Sequence, residues 1–499
     1  MLVILFTCVL IFSFIGWVLQ ELRRPPNFPP GPQWLPLIGN TPFVRKLARS
    51  SGGQHLAFEA LSKQYNSPVI GLKLGGELVV VALQYPAVLE AHSNEVFDGR
   101  PDNFFVRLRA MGTRLGMTFT DGPFWTEHRN FIERHLRQAG YGKQTMQMHV
   151  QNELVELIDI IKDLKGKPIW PGSILPTSVI NVLWTFTTGS RIPRDDERLI
   201  RLLKLLHDRS KAFDMSGGIL SQLPWLRYIA PDWTGYNIIK RFNRELREFF
   251  MPSIRKHHQE YSDDKCSNDL IYAFIKEMEH RKDDPCSTFT DLQLIMIILD
   301  IFIAGSHTTS ATVDIAFMIL SMRADMQNKI LSEIDSNLRH DEIYQQKYRT
   351  QLPYTEAFLL ETMRLHQIAP LGGPRRALSD CTLGGYRVPK NTTIMMSLRT
   401  VHMDQEHWGD PENFRPERFI GPDGKITNTE RLIPFGLGRR RCLGESLARS
   451  CMFTFFVGIL REFRVCPSKN SADAPTLKLV PGITLSPQPY KLVFEPRSR

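Results

Sequence analysis

The chain has 499 residues, 42% of them hydrophobic and 23% charged, the proportions of an ordinary globular protein and not of a disordered or fibrous one. That length is compatible with one large enzyme core or with two to three average domains. A net charge of +10 suits anionic lipid, an acidic protein partner or nucleic acid, and the lack of a basic run interleaved with stacking aromatics places nucleic acid last.

Residues 1–19 are apolar apart from small polar residues such as Thr7 and Ser13. Roughly twenty such residues in a helix span the ~30 Å of bilayer hydrocarbon. Nothing basic precedes the stretch, Arg23 and Arg24 follow it, and no small-residue cleavage site ends it. We therefore read residues 1–20 as an uncleaved transmembrane signal anchor, with a cleaved signal peptide as the alternative. The two arginines then keep the body of the protein cytosolic. Residues 21–40 form a basic and proline-rich linker, stiffened by the run from Pro25 to Pro32. The remainder, residues 41–499, reads as one mainly α-helical catalytic domain with a minor β part.

Val69–Leu74 and Glu77–Ala82 flank Gly75-Gly76 and read as a hairpin, whereas Val150–Lys162, Arg198–Asp208 and Gln327–Ile334 have helical periodicity. Leu292–Leu320 is long and apolar, but Asp300, His307 and Asp314 interrupt it, so a buried core helix is the better reading than a second span. Its middle carries a polar break, Ala304-Gly305-Ser306-His307-Thr308-Thr309. Glycine there costs about 1 kcal/mol against alanine in a plain helix, so Gly305 marks either a functional kink or a close packing contact. The seven cysteines (Cys8, Cys266, Cys286, Cys381, Cys442, Cys451 and Cys466) are odd in number and scattered, with no zinc-ligand spacing. They read as free thiols of a reducing compartment. Cys442 stands apart. It lies within Phe435-Gly436-Leu437-Gly438-Arg439-Arg440-Arg441-Cys442-Leu443-Gly444, ahead of a helix over Glu445–Leu460. A helix N-terminus and neighbouring cations favour a thiolate, and a thiolate binds a soft metal centre.

Here the sequence resembles the cytochromes P450, whose haem-binding signature Phe435, Gly438, Arg440, Cys442 and Gly444 match at every defining position. The resemblance extends over nearly the whole chain. It implies a single haem-binding domain of the cytochrome P450 fold, haem b (iron protoporphyrin IX) as cofactor, and Cys442 as its axial thiolate. It further implies that Trp125, Arg129, Arg440 and Arg375 donate to the haem propionates, with Arg376 as the alternative to Arg375. Ala304 and Gly305 match the segment of helix that crosses the haem, and Thr308 matches the threonine that helps deliver protons during O₂ activation. Where the family has an acid beside that threonine, this chain has His307, which is either a proton relay or a spectator. Glu361 and Arg364 would be an exposed surface pair by spacing alone. With Arg418 downstream, the resemblance implies a buried structural triad that fixes the cysteine loop.

Substrate-lining residues are expected from 104–115, 213–215, 301–309, 368–373 and 483–485. These regions are mainly apolar and suit a lipophilic small molecule. Asp214, Arg107 and Arg109 are candidate substrate contacts, the alternative being solvated or structural roles. Residues 219–226 form either a loop dipping into the membrane interface or an ordinary packed loop. The opening segments, Phe97–Pro101 and Leu115–Trp125, resemble the microsomal branch that includes insect hormone-pathway enzymes, relatives of methyl farnesoate epoxidase. The implied function is a monooxygenase of the endoplasmic reticulum membrane, hydroxylating or epoxidising a lipophilic substrate in hormone or xenobiotic metabolism. Electrons would come from NADPH through cytochrome P450 reductase, with cytochrome b5 as a further partner, and Arg439 and Arg441 are the candidate dock for an acidic reductase. The alternatives are a P450-type isomerase or dehydratase, and a haem-binding protein without turnover.

Overall fold

The computed structural model describes residues 2–262, 269–338 and 346–497, so Met1, Cys266 and the last two residues lie outside the described part. The architecture is mainly helical. An apolar N-terminal helix, α1 (Leu2–Glu21), exposes Leu5, Phe6, Phe12 and Phe14, and its last residue, Glu21, pairs with Lys73 on the body of the protein. The helices that build the site follow in chain order: α2 (Phe104–Arg109), α3 (Gly122–Gln138), α4 (Gln144–Asp163), α5 (Leu175–Thr188), α6 (Glu197–Ala212), α7 (Tyr236–Gln259), α8 (Asp291–Met322), α9 (Ala324–Asn337), α10 (Pro353–Leu365) and α11 (Glu445–Glu462). The expected helices correspond to α4, α6, α9, α8 and α11.

The hairpin forms as expected, β1 (Val69–Leu74) pairing antiparallel with β2 (Glu77–Ala82). Two later strands, β3 (Arg375–Arg376) and β4 (Thr393–Met396), complete a four-stranded sheet in the order β1-β2-β4-β3, β2 and β4 running parallel. Two further two-stranded sheets are separate from it.

The main apolar core gathers around α8, which packs against α5 and α11. Among the described residues α8 is the helix long and apolar enough to cross a membrane, but two thirds of its apolar window is buried inside the fold. It is a core helix. Thr290 caps it by accepting the N–H of Gln293 at 3.2 Å. No break occurs at Ala304–Thr309, where the helix is continuous. Gly305 has another reason: a Cβ there would run into the Leu183 side chain of α5, so glycine lets the two helices approach. The expectation of a kink is thereby corrected to a packing contact. The six described cysteines are all free.

Candidate active site

The loop 435–444 leads into α11 through Gly444. Gly438 has φ +70°, and a Cβ on it would strike the carbonyl oxygen of His92, so no other residue fits. The loop closes on itself: the Cys442 N–H donates to the Phe435 carbonyl at 3.0 Å and the Arg441 N–H to that of Gly438 at 3.1 Å. Arg129 of α3 pins it from outside, its Nη2 donating to the Arg441 carbonyl at 3.1 Å while its Nε pairs with Glu133. The Phe435 ring backs the loop under the Arg449 guanidinium, 5.0 Å away.

Cys442 keeps a solvent-accessible surface at the tip of this loop, unlike Cys451 in the core, although protein crowds it on its other sides. Desolvation by the surrounding protein, with Glu445 adding to it, pushes the Cys442 thiol up, against the Gly444 N–H, Arg129 and Arg441, which pull it down. The sequence argument from helix terminus and arginines named real influences, but burial outweighs them. A coordinated cation reverses that balance, since it deprotonates the thiol outright.

On α8, Ala304 is exposed although it lies midway along a helix buried for most of its length. Thr308, one turn on and on the same face, donates its hydroxyl to the Ala304 carbonyl at 2.9 Å. His307 points about 100° further round the helix. Its Nδ1 lies 3.3 Å from Thr484 Oγ1 and its Nε2 3.1 Å from Ser486 Oγ. Burial pushes its pKa down to about 4, so the ring is neutral at physiological pH.

A cluster of guanidinium groups flanks the cysteine loop. Trp125 is buried and Arg440 lies over its ring at 3.7 Å, while Arg440 Nη2 donates to the Asp98 carbonyl at 2.7 Å. Arg375 is buried against the Asp98 carboxylate at 2.9 Å and reaches the Leu437 carbonyl of the cysteine loop at 3.4 Å. Arg376, the next residue of β3, turns instead to Asp121 at 2.9 Å and Asn391 at 2.8 Å. Arg100, which the sequence argument did not assign to the site, belongs to the same cluster. It spans to the Pro374 carbonyl at 2.7 Å, and burial, with Arg440 and Arg375 beside it, pulls its pKa well down. With Arg114 and Arg439 there are six guanidinium groups here for the carboxylates of Asp98 and Asp121. Arg440 Nη1 and Arg100 Nε are buried without a hydrogen-bond partner. Surplus positive charge with unpaired buried donors fits a ligand bearing two carboxylates, as the implied haem does.

Glu361, Arg364 and Arg418 form a buried network and not the surface pair that spacing alone suggested. Arg364 Nε lies 2.7 Å from Glu361 Oε2, and Arg418 Nε 3.1 Å from Glu361 Oε1.

Of the candidate substrate contacts, Arg107 is engaged at the surface with Asp102 at 2.7 Å. Asp214 accepts the N–H groups of Ser216 and Gly218 in a local turn, a structural role. Arg109 is buried against Asp300 of α8 at 2.6 Å. Residues 219–226 carry Trp225 outward, next to exposed Tyr228, Ile229 and Trp233.

A family profile described as Cytochrome P450 matches residues 29–494. The protein named probable cytochrome P450 305a1 from Drosophila melanogaster is 48% identical over 99% of this chain and 99% of its own length. Farnesoate epoxidase from Bombyx mori is 36% identical, with 98% of each chain covered. Cytochrome P450 2J2 from Homo sapiens is 32% identical over 95% of this chain and 92% of its own. The family resemblance and its insect branch are both borne out.

Proposed function

Since the chain belongs to the cytochrome P450 family and is therefore a haem-thiolate monooxygenase with haem b as cofactor, we propose that Cys442 is its axial ligand and that it oxidises a lipophilic small molecule at a membrane surface. The observation that carries this reading is the glycine-framed loop that leaves Cys442 open beside buried, unpaired arginine donors. Haem, when bound, supplies reductive activation of O₂ and insertion of one oxygen atom into the substrate.

The protein's own groups have separable tasks. Trp125, Arg440, Arg375 and Arg100 would hold the haem carboxylates; Arg129 fixes the loop through the Arg441 carbonyl. Phe435 and Gly444 would shape the approach of the haem to Cys442, and Ala304, a small residue exposed on α8, would leave room for it. The Thr308 hydroxyl holds and passes a proton on the same face of α8. Exposed Arg439 and Arg441 receive an acidic reductase that draws on NADPH, with cytochrome b5 a further candidate for the same face, although Glu95 and Glu445 already offset part of their charge. The apolar α1 anchors the protein in the endoplasmic reticulum membrane, and Trp225, Tyr228, Ile229 and Trp233 lie in its interface, where such aromatics are favoured. The catalytic domain is then cytosolic and admits substrate from the lipid side.

His307 we assign to positioning: its ring ties α8 to the turn at 480–486. His307→Gln, which keeps hydrogen bonds to Thr484 and Ser486 within reach, should retain the wild-type ratio of product to NADPH. His307→Ala should lower that ratio severalfold. Because the imidazole protonates only as pH falls toward about 4, the wild-type ratio should show no His307 inflection between roughly pH 6 and 8. Glutamine uncoupling as badly as alanine would show that the imidazole itself relays protons.

The function is tested by reconstituting the full-length protein with NADPH and a flavoprotein reductase under isotopically labelled O₂, using a lipid extract as substrate. One labelled oxygen per product with matched NADPH consumption is expected. Product that forms without label or NADPH would mean an isomerase or dehydratase.

A further inference from the structure

The helix Thr41–Ser51 starts where the apolar anchor meets the body of the protein. Lys73 of β1 pairs with Glu21 at the end of α1, and its ammonium also donates to the Glu21 carbonyl at 3.1 Å. The Lys73 carbonyl accepts the N–H of Asn40 at 2.6 Å, and the Asn40 side chain accepts the Lys73 N–H at 3.0 Å. Asn40 is the residue directly before the helix. A membrane that holds α1 therefore lies against the start of this helix, where Leu35, Leu37 and Phe43 are exposed.

Between this helix and the short helix Gly218–Gln222 runs a surface groove of about 630 Å³. Arg45, Lys46 and Arg49 lie on one side of it, Ile219 and Leu223 on the other. Among the described residues no carboxylate lines the groove, and none pairs with any of the three cations. Asp214 attracts Arg45 from a distance, but its carboxylate is taken up by the N–H groups of Ser216 and Gly218. Burial, with Arg49 one turn on adding to it, pulls the Arg45 pKa down against that attraction.

Three cations without counter-ions thus face an apolar wall at the level of the bilayer surface. An anion that carries its own hydrocarbon completes such a groove, and the cytosolic leaflet offers one in its anionic lipids. An acidic protein would match the charge, but a bilayer that holds α1 occupies this side first. Trp225 and Tyr228, which follow Leu223, are exposed there as well.

We propose that the groove holds the headgroup of a net-anionic phospholipid such as phosphatidylserine, its phosphate against Arg45, Lys46 and Arg49 and its acyl chains passing Ile219 and Leu223 into the bilayer. The proposal rests on the membrane-surface reading above and adds a lipid class and a site to it. No bond is made or broken; the lipid binds.

The test uses the haem-loaded full-length protein in phosphatidylcholine nanodiscs carrying a trace of spin-labelled phosphatidylserine or spin-labelled phosphatidylcholine. The fraction of immobilised label reads binding. Wild type should hold the serine lipid at least tenfold more tightly than the choline lipid. Arg45→Gln with Arg49→Gln should bring that preference to within twofold. Lys167→Gln with Lys469→Gln, which removes two charges from exposed positions outside the groove, should leave it unchanged. Most of the wild-type preference should survive 1 M salt, where screening acts over about 3 Å, because a seated headgroup touches its cations. Equal retention of the two lipids by wild type would overturn the proposal, whether or not the variants fold. So would a preference that the control pair removes as fully as the groove pair, the mark of diffuse charge. Inorganic phosphate binding as tightly as dispersed phosphatidylserine would make the groove a site for a soluble anion and overturn the lipid assignment. Flotation of wild type with pure phosphatidylcholine vesicles reads the membrane reading separately: protein that floats but does not discriminate the two lipids refutes the groove alone.

Discussion

Cys442→Ser should abolish the thiolate-type Soret band of the reduced, CO-bound protein and bring monooxygenase turnover to background. Serine is close in size, and the one loop contact that involves the sulfur, the Gly444 N–H, can be accepted by a hydroxyl oxygen as well. The Cys442 N–H to Phe435, the Arg129 contact with the Arg441 carbonyl and the position of Gly438 against His92 are all backbone features. The loop should therefore persist, and far-UV circular dichroism and the melting temperature should stay near wild type. What is lost is a soft, electron-rich ligand: a hydroxyl is too weakly acidic to replace the thiolate whose electron donation favours O–O cleavage. Haem retention should be reduced but measurable, because the propionate-binding arginines remain. A serine variant that keeps the thiolate-type band would remove Cys442 as the ligand, and with it the central claim about this site.

The cysteine loop was legible in the sequence because its requirements are local. Gly438 needs a left-handed backbone and close approach, and both show as an unavoidable glycine at fixed spacing from Cys442. The choice between Arg375 and Arg376 was open in the sequence because their different surroundings are set by β3. Successive side chains in a strand face opposite ways, which sends Arg375 to Asp98 and Arg376 to Asp121. Gly305 could not be resolved in advance, since its reason is Leu183 on another helix. His307 is similar: its identity is visible at the expected acid position, but its partners Thr484 and Ser486 lie more than a hundred residues away. The Arg109 and Asp300 pair comes from two separate elements and left no sequence pattern. Arg100 did leave one, in Phe97-Asp98-Gly99-Arg100-Pro101, but nothing in that run reveals that its guanidinium turns toward Arg440 and Arg375.

Arg364→Ala should be the most damaging substitution outside the metal loop. Arg364 and Glu361 are fully buried and joined by two hydrogen bonds, Nε to Oε2 at 2.7 Å and Nη2 to Oε1 at 2.8 Å. Arg364 also donates to the carbonyls of His402 at 2.6 Å and Pro411 at 2.8 Å, so alanine leaves several acceptors unsatisfied. Glu361 would keep only Arg418 and the Arg415 N–H, 2.9 Å away. Removing one member of such a network costs about 3–5 kcal/mol, a large part of the roughly 5–15 kcal/mol that holds a domain folded. The damage should reach the cysteine loop by a specific route. Arg364 clamps His402, and the His402 Nε2 accepts the N–H of Ile433, two residues before Phe435. That ring can accept because burial, with Arg364 and Arg399 adding to it, drives its pKa down to about 3. Arg364→Ala should accordingly lower the thermal midpoint and the haem content together. Arg364→Lys should rescue little, since an ammonium cannot reproduce the fork. The double change Glu361→Leu with Arg364→Met should be milder than Arg364→Ala alone, because it leaves no buried carboxylate short of a partner, and Arg418 keeps Asp410 and the carbonyls of Trp408 and Asn413. Unfolding followed by circular dichroism, alongside haem absorbance, separates these outcomes. An alanine variant within about 1 kcal/mol of wild type, the range of an exposed pair, would return the network to the status of a surface contact.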